Sequence, residues 1–349
     1  MSTLRTRRII PVVLATAASL LFPVTGQASV TADCTQTSTG RTPISDMAPG
    51  ETYLGEQGGL YPGGTNQRPS AHEQAGRGIA VNHIKPRTAS GAIDPAGGLV
   101  GMISIGMSNT TQEFTHFMAN VAGDPTLHPR LRLVDGAQGG QGAALWIDPA
   151  ADTWRGLATR LQTAGVAPAQ VQVLWLKQQM NGDNLGQFGP FPASAQGLRD
   201  HLQTIVRIAK QKYPNLRQAY LSSRIYGDYG SSTRGTGAYE QAFAVKWLVE
   251  DQIAGDPALA YNGSSAVAPW LSWGPYLWAD GVGSDNAPGG TPGRADGLEW
   301  RCSDFNSDGI HPATSGKQKV ATLLEKFFRG DTTTKPWFLT PQNPAPQAL

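Results

Sequence analysis

Catalytic chemistry needs an acid, a base and a nucleophile at workable spacing, and the stretch Cys302-Ser303-Asp304-Phe305-Asn306-Ser307-Asp308-Gly309-Ile310-His311-Pro312 supplies the first two. A carboxylate three residues before an imidazole can hold the ring in one tautomer and stabilise it once protonated, as a serine nucleophile requires of its general base. His72, His83 and His128 lack an acid so placed, and His116 and His201 read as ordinary helix residues. The stretch has a second reading. Asp304, Asn306, Asp308 and Gly309 fall on positions one, three, five and six of a calcium loop, yet position twelve is Ser315 where a bidentate Glu is required.

A nucleophile for this base is sought at the end of a strand. Gly106-Met107-Ser108-Asn109-Thr110 closes the apolar run Leu99–Ile105, and Thr110-Thr111-Gln112-Glu113 fits a capping box opening a helix that carries Phe114 and Phe117. Ser108 therefore sits on a strand-to-helix turn, where the N–H groups of a helix start favour a developing oxyanion. A serine that only caps or turns is the plain alternative. Two further loops follow strands. Asp135 to Gly142 is glycine-rich and permits close backbone approach. Lys177-Gln178-Gln179-Met180-Asn181-Gly182-Asp183-Asn184 is amide-rich and could supply a neutral donor to an oxyanion, although Asn-Gly also simply makes turns. The chain has no His-Glu-x-x-His, Cys/His cluster or Walker loop, so no metal and no cofactor is expected.

The elements that must position these groups are legible in the periodicity. Leu99–Ile105, Leu131–Val134, Val171–Leu176, Gln218–Ser222 and Val267–Trp273 read as strands, with helical spacing between them and a last helix carrying Val320, Leu323, Leu324 and Phe327. Strands alternating with helices predict a mainly parallel sheet of about five strands covered on both faces, with the working loops at the strands' carboxyl ends. Residues 29–96, rich in Gly, Pro, Thr and Asn, read as an irregular wrap around a single domain at 97–330, with 331–349 as a tail.

Taken in order, the serine after the first strand, the glycine loop after the second, the amide loop after the third and Asp308-Gly309-Ile310-His311 before the last helix resemble the SGNH hydrolases, also called GDSL-type esterases. The resemblance covers roughly residues 97–328. Gly106-Met107-Ser108-Asn109-Thr110 matches the family's Gly-Asp-Ser-x-Thr with Met107 in place of the aspartate, and the third block departs from Gly-x-Asn-Asp. The resemblance implies a divergent branch with a three-layer α/β/α sandwich of flavodoxin-like order and a metal-free ester hydrolase. In it Ser108 attacks, His311 takes the proton and Asp308 orients His311. The N–H groups of Ser108 and Gly140 would hold the oxyanion with the amide of Asn181, Gln178 being the competitor.

Composition bounds the setting. The basic start, the apolar run Ile9–Val24 and the small residues at Gly26-Gln27-Ala28 form a secretory leader over residues 1–28, so a secreted or periplasmic protein without a membrane span is expected. The chain holds 28 Lys and Arg against 26 Asp and Glu. Losing Arg5, Arg7 and Arg8 with the leader leaves 25 basic residues, a balance that attracts no nucleic acid. Its two cysteines, Cys34 and Cys302, are expected to pair in an oxidising compartment. Arg224, Tyr226, Trp273 and Tyr276 leave the fourth and fifth strands and are expected to border the site mouth as a rim for a sugar. The substrate is thus expected to be a small-molecule or polysaccharide ester, most simply an acetylated glycan. A glycan-binding protein without turnover and a lipid esterase are the alternatives.

Overall fold

The computed structural model describes residues 31–180, 187–281 and 293–340. The leader and Asn181 lie outside the described residues. A two-stranded hairpin, β1 (Thr52–Tyr53) and β2 (Glu56–Gln57), and a helix, α1 (Ser70–Asn82), precede the main sheet. That sheet contains β3 (Val100–Gly106), β4 (Leu131–Val134), β5 (Val171–Lys177), β6 (Gln218–Leu221) and β7 (Trp270–Trp273), all parallel, in the spatial order β4-β3-β5-β6-β7. By order of appearance this is 2-1-3-4-5, the flavodoxin order. Every residue of β3 and β5 is buried, as a parallel sheet covered on both faces demands.

The helices between strands are α2 (Ser108–Asn120), α3 (Asp152–Thr163), α4 (Ala193–Lys212) and α5 (Ser232–Ile253), and α6 (Thr314–Gly330) and α7 (Lys335–Phe338) close the chain. Right-handed crossovers send the helix after β3 to one face and those after β5 and β6 to the other. Accordingly α2 packs on α6, and α4 packs on α5. The chain leaves β3 for one side of the sheet and returns to β5 on the other, so the crevice for a ligand opens at the carboxyl ends of these two strands.

The N-terminal segment differs from the irregular wrap expected. Helix α1 buries His72, Gly76 and Ala80, four residues apart, a stripe too small and polar to register as an apolar period. It covers the open edge of β7. The buried His72 Nε2 donates to the carbonyl of Leu271 at 2.7 Å, and Gln252 Oε1 of α5 accepts from Leu271 N at 2.6 Å, so both outward backbone groups of Leu271 on that edge are taken. Burial pushes the His72 ring down to about 4, which keeps it neutral beside Arg68.

Residues 331–340 likewise belong to the packed domain rather than to a tail. Trp337 and Phe338 are buried among Phe117, Tyr220 and Phe328, and Leu339 bridges to Leu127. Cys34 and Cys302 form a disulfide across 268 residues of sequence. Beyond it the irregular N-terminal segment reaches the buried Asp280, which Ser38 and Thr39 hold at 2.5 and 2.8 Å. No helix among the described residues is long and apolar enough to cross a membrane.

Candidate active site

Strand β3 runs buried to Gly106, and Met107 is extended (φ −97°, ψ −165°) before the chain turns directly into α2 at Ser108. The helix thus opens three residues earlier than the expected capping box, and no side chain caps it. Thr110 and Glu113 serve another partner. The Thr110 hydroxyl donates to the carbonyl of Lys177 at 2.8 Å, and Glu113 takes the Lys177 ammonium, so the pull of a buried cation replaces the capping bond. A Cβ at position 106 would collide with the Thr110 hydroxyl and the Lys177 carbonyl, which is why a glycine ends β3. The first N–H groups of an α-helix have no acceptor within it. Those of α2 therefore surround Ser108 with donors.

The loop before α6 brings His311 to this serine. Ser108 Oγ lies 2.8 Å from His311 Nε2, and His311 Nδ1 lies 2.6 Å from Asp308 Oδ2. The other oxygen of Asp308 accepts from the backbone N–H groups of Ile310 and His311 at 2.9 and 3.0 Å. With the carboxylate on Nδ1, that nitrogen carries the ring proton and Nε2 is left to accept from Ser108. Burial works to raise the Asp308 carboxyl, but the hydrogen bonds from the His311 ring and from both backbone groups outweigh it and hold it below the ordinary carboxylate value. Both side chains remain about one-third exposed, so the site is open to a substrate.

Packing fixes this loop on three sides. Gly309 has φ +64°, and a Cβ there would sit 2.5 Å from the backbone of Tyr229. Ala32 donates to the carbonyl of Ser307 at 2.7 Å, from the segment that the Cys34–Cys302 bridge tethers. Asn109, next to the serine and 1% exposed, donates its amide to the carbonyl of Ile310 at 2.9 Å and so joins the start of α2 to the histidine loop. The calcium-loop acids are spent elsewhere: Asp304 is buried and takes Lys319 and the N–H of Arg301, while Asp308 holds the ring.

The glycine loop after β4 lies against the serine. Gln138 N donates to the carbonyl of Gly106 at 2.9 Å, and a Cβ on Gly139 would be 3.8 Å from that of Ser108. Gly140 follows with φ +75°. Of the two residues proposed as the oxyanion amide, Gln178 is committed: it is buried, its Nε2 donates to the carbonyl of Gln141 at 3.0 Å, and its Oε1 accepts from Gln179 N. With Ala143 N on the carbonyl of Gln179, Gln178 braces the glycine loop from behind.

The expected aromatic rim is not formed by the residues named for it. Arg224, Tyr226, Trp273 and Tyr276 are all at least 95% buried. The Tyr226 hydroxyl donates to the carbonyl of Gln36, and Tyr276 accepts from the backbone of Ile44, so the N-terminal wrap covers what periodicity left looking like an open mouth. No role beside the serine was read from sequence for Asn109 or Lys177, and Glu113 was read only as the end of a capping box. The available signal was polarity at positions that the helix from Ser108 and the strand Val171–Lys177 must bury.

The chain matches no protein-family model, and no curated protein matches it. Solved structures do align with it. The C-terminal catalytic domain of a peptidoglycan O-acetyltransferase from Streptococcus pneumoniae shares 11% identity, with 70% of this chain and 99% of that one covered and a TM-score of 0.34. A putative GDSL-like lipase from Parabacteroides merdae shares 13% over 70% and 97%, with a TM-score of 0.37. An acetyl xylan esterase from Geobacillus stearothermophilus shares 13% over 67% and 95%, with a TM-score of 0.35. At such overlap these likenesses say nothing of substrate, and the chemistry rests on the side chains.

Proposed function

We propose that the protein is an exported serine ester hydrolase of SGNH type that removes a small acyl group, acetyl in the simplest case, from a carbohydrate. The observation that carries the reading is the hydrogen-bonded series Ser108–His311–Asp308 at a strand-to-helix turn. As Ser108 Oγ attacks the ester carbonyl, its proton passes to His311 Nε2, and Asp308 stabilises the resulting imidazolium. The carbonyl oxygen becomes an oxyanion held by the N–H groups at the start of α2, with the N–H of Gly140 and the amide of Asn181 as the further donors that the sequence pattern suggests. His311 then returns the proton to the leaving alcohol, and water completes the cycle through the same base. No step calls for a metal or a cofactor.

These side chains support the reaction class, and the setting supports the sugar. A disulfide fits an oxidising compartment, and an exported hydrolase meets its substrates outside the cell, where polysaccharides carry small acyl groups. Incubation with acetylated polysaccharides and with aryl esters of increasing chain length tests both halves. Acetate release from the polysaccharide is expected, and activity confined to long-chain esters would reject the carbohydrate reading.

A further inference from the structure

Beneath the serine lies a charge pair that the proposed reaction does not use. Lys177, the last residue of β5, and Glu113, in the second turn of α2, are both fully buried, and the ammonium donates to both carboxylate oxygens. Arg224 stands close enough to repel Lys177, and burial pushes the lysine down to about 8 despite its partner. Such a pair is poor value as a source of stability. Two charges lose their hydration when buried, and neutral residues of similar shape commonly do as well or better. Its placement suggests another use.

Lys177 is the register partner of Gly106 at the end of β3. It holds α2 twice, through its carbonyl on the Thr110 hydroxyl and its ammonium on Glu113. Thr110 and Glu113 follow Ser108 by two and five residues, so the first two turns of the nucleophile's helix are latched to the neighbouring strand. Phe114 stacks on Trp175 of the same strand at 5.5 Å, but an apolar contact allows sliding and rotation that a bidentate ion pair does not. We propose that Glu113 and Lys177 are positioning residues: they fix the rotation and depth of α2 so that Ser108 Oγ meets His311 Nε2 and the helix N–H groups face the oxyanion. This rests on the serine-esterase reading and adds a part to it.

The double variant Glu113→Gln with Lys177→Met removes both charges while keeping chain length. It should unfold at a denaturant midpoint equal to or above that of the wild type. Its kcat on an aryl acetate should fall about 10- to 100-fold with KM changed less than threefold, the mark of lost alignment rather than lost binding. Amide exchange over residues 111–116, the first hydrogen-bonded amides of α2, should quicken in the folded double variant. Glu113→Asp, which keeps the charge and shortens the reach, should fall between the two. A double variant that keeps kcat within twofold at equal stability overturns the proposal. So does one that cannot fold, since the pair would then be holding the domain and not aiming the serine. If the wild type itself shows no esterase activity, that failure belongs to the esterase reading; amide exchange then decides the positioning role, and unchanged exchange rejects it.

Discussion

Replacing Asp308 with asparagine removes a charge and one of two acceptor oxygens without changing the size of the side chain, and the structure says which bond must be given up. One carboxylate oxygen holds the N–H groups of Ile310 and His311, and the other holds the ring N–H of His311. If the asparagine oxygen stays on the backbone, its NH2 faces Nδ1, and the ring must move its proton to Nε2, where it can no longer accept from Ser108. If the amide flips, its NH2 faces two backbone donors, and leaving those unsatisfied costs roughly 1–3 kcal/mol each. The first arrangement therefore dominates, and it is the inactive one. We expect kcat to fall by about 10⁴, the scale of a wrong-tautomer defect, with the fold kept because the side chain is partly exposed. Asp308 is held below the ordinary carboxylate value and stays ionised from pH 5 to 9, so the wild type keeps the anion beside the ring throughout that range. In His311→Ala the base itself is gone, and kcat should fall at least as far. Initial rates on an aryl acetate across this range, with and without chelator, supply the data. A variant keeping more than a tenth of wild-type activity would refute the reasoning, and a chelator that reproduced the defect in the wild type would hand the loop to calcium.

Gly309→Ala should displace the catalytic loop or destabilise the domain by about 2 kcal/mol or more, because its φ is +64° and a Cβ would strike the backbone of Tyr229; equal activity and equal denaturant midpoint would argue otherwise. Burial pushes the Asp228 carboxyl up to about 6 against the pull of Arg41. The folded state thus holds that proton more tightly than the unfolded chain, so stability falls as pH rises from about 4 through 6. Asp228→Asn should flatten this slope and recover up to about 3 kcal/mol at pH 7 in denaturant titrations, an effect that an unchanged slope would exclude. Cys34→Ser opens a 268-residue connection, for which chain entropy sets a loss of about 6 kcal/mol at most. The variant should unfold at lower denaturant and turn over more slowly, since the tethered segment also holds Ser307.

The sheet was legible because each strand is a short apolar run with turn residues behind it, and parallel strands buried on both faces leave little ambiguity. Asp308 and His311 were legible because three residues of separation and a glycine between them are local facts. The signals that failed depend on partners distant in sequence. Helix α1 was hidden because its buried stripe is His72, Gly76 and Ala80, which fit against Trp270 by smallness and hydrogen bonding rather than by hydrophobicity. The capping box around Glu113 was a sound local reading defeated by Lys177, some sixty residues on. Tyr226 and Tyr276 follow strands at the working edge, as rim residues would, and only the path of residues 36–44 over them shows that they are core. Gln178 sits where an oxyanion amide could be, and its bond to Gln141 becomes visible only once β4 and β5 bring their loops together.

The central claim is that Ser108 is an activated nucleophile, and reaction with a serine-directed phosphonate followed by peptide mass spectrometry tests it most directly. The protein should acquire one adduct, on Ser108, formed more slowly in Asp308→Asn and absent in Ser108→Ala. No adduct would contradict the claim. An adduct on another residue would do so as well; Ser222, the other serine at a strand end, is buried and accepts from Trp175 at 3.0 Å.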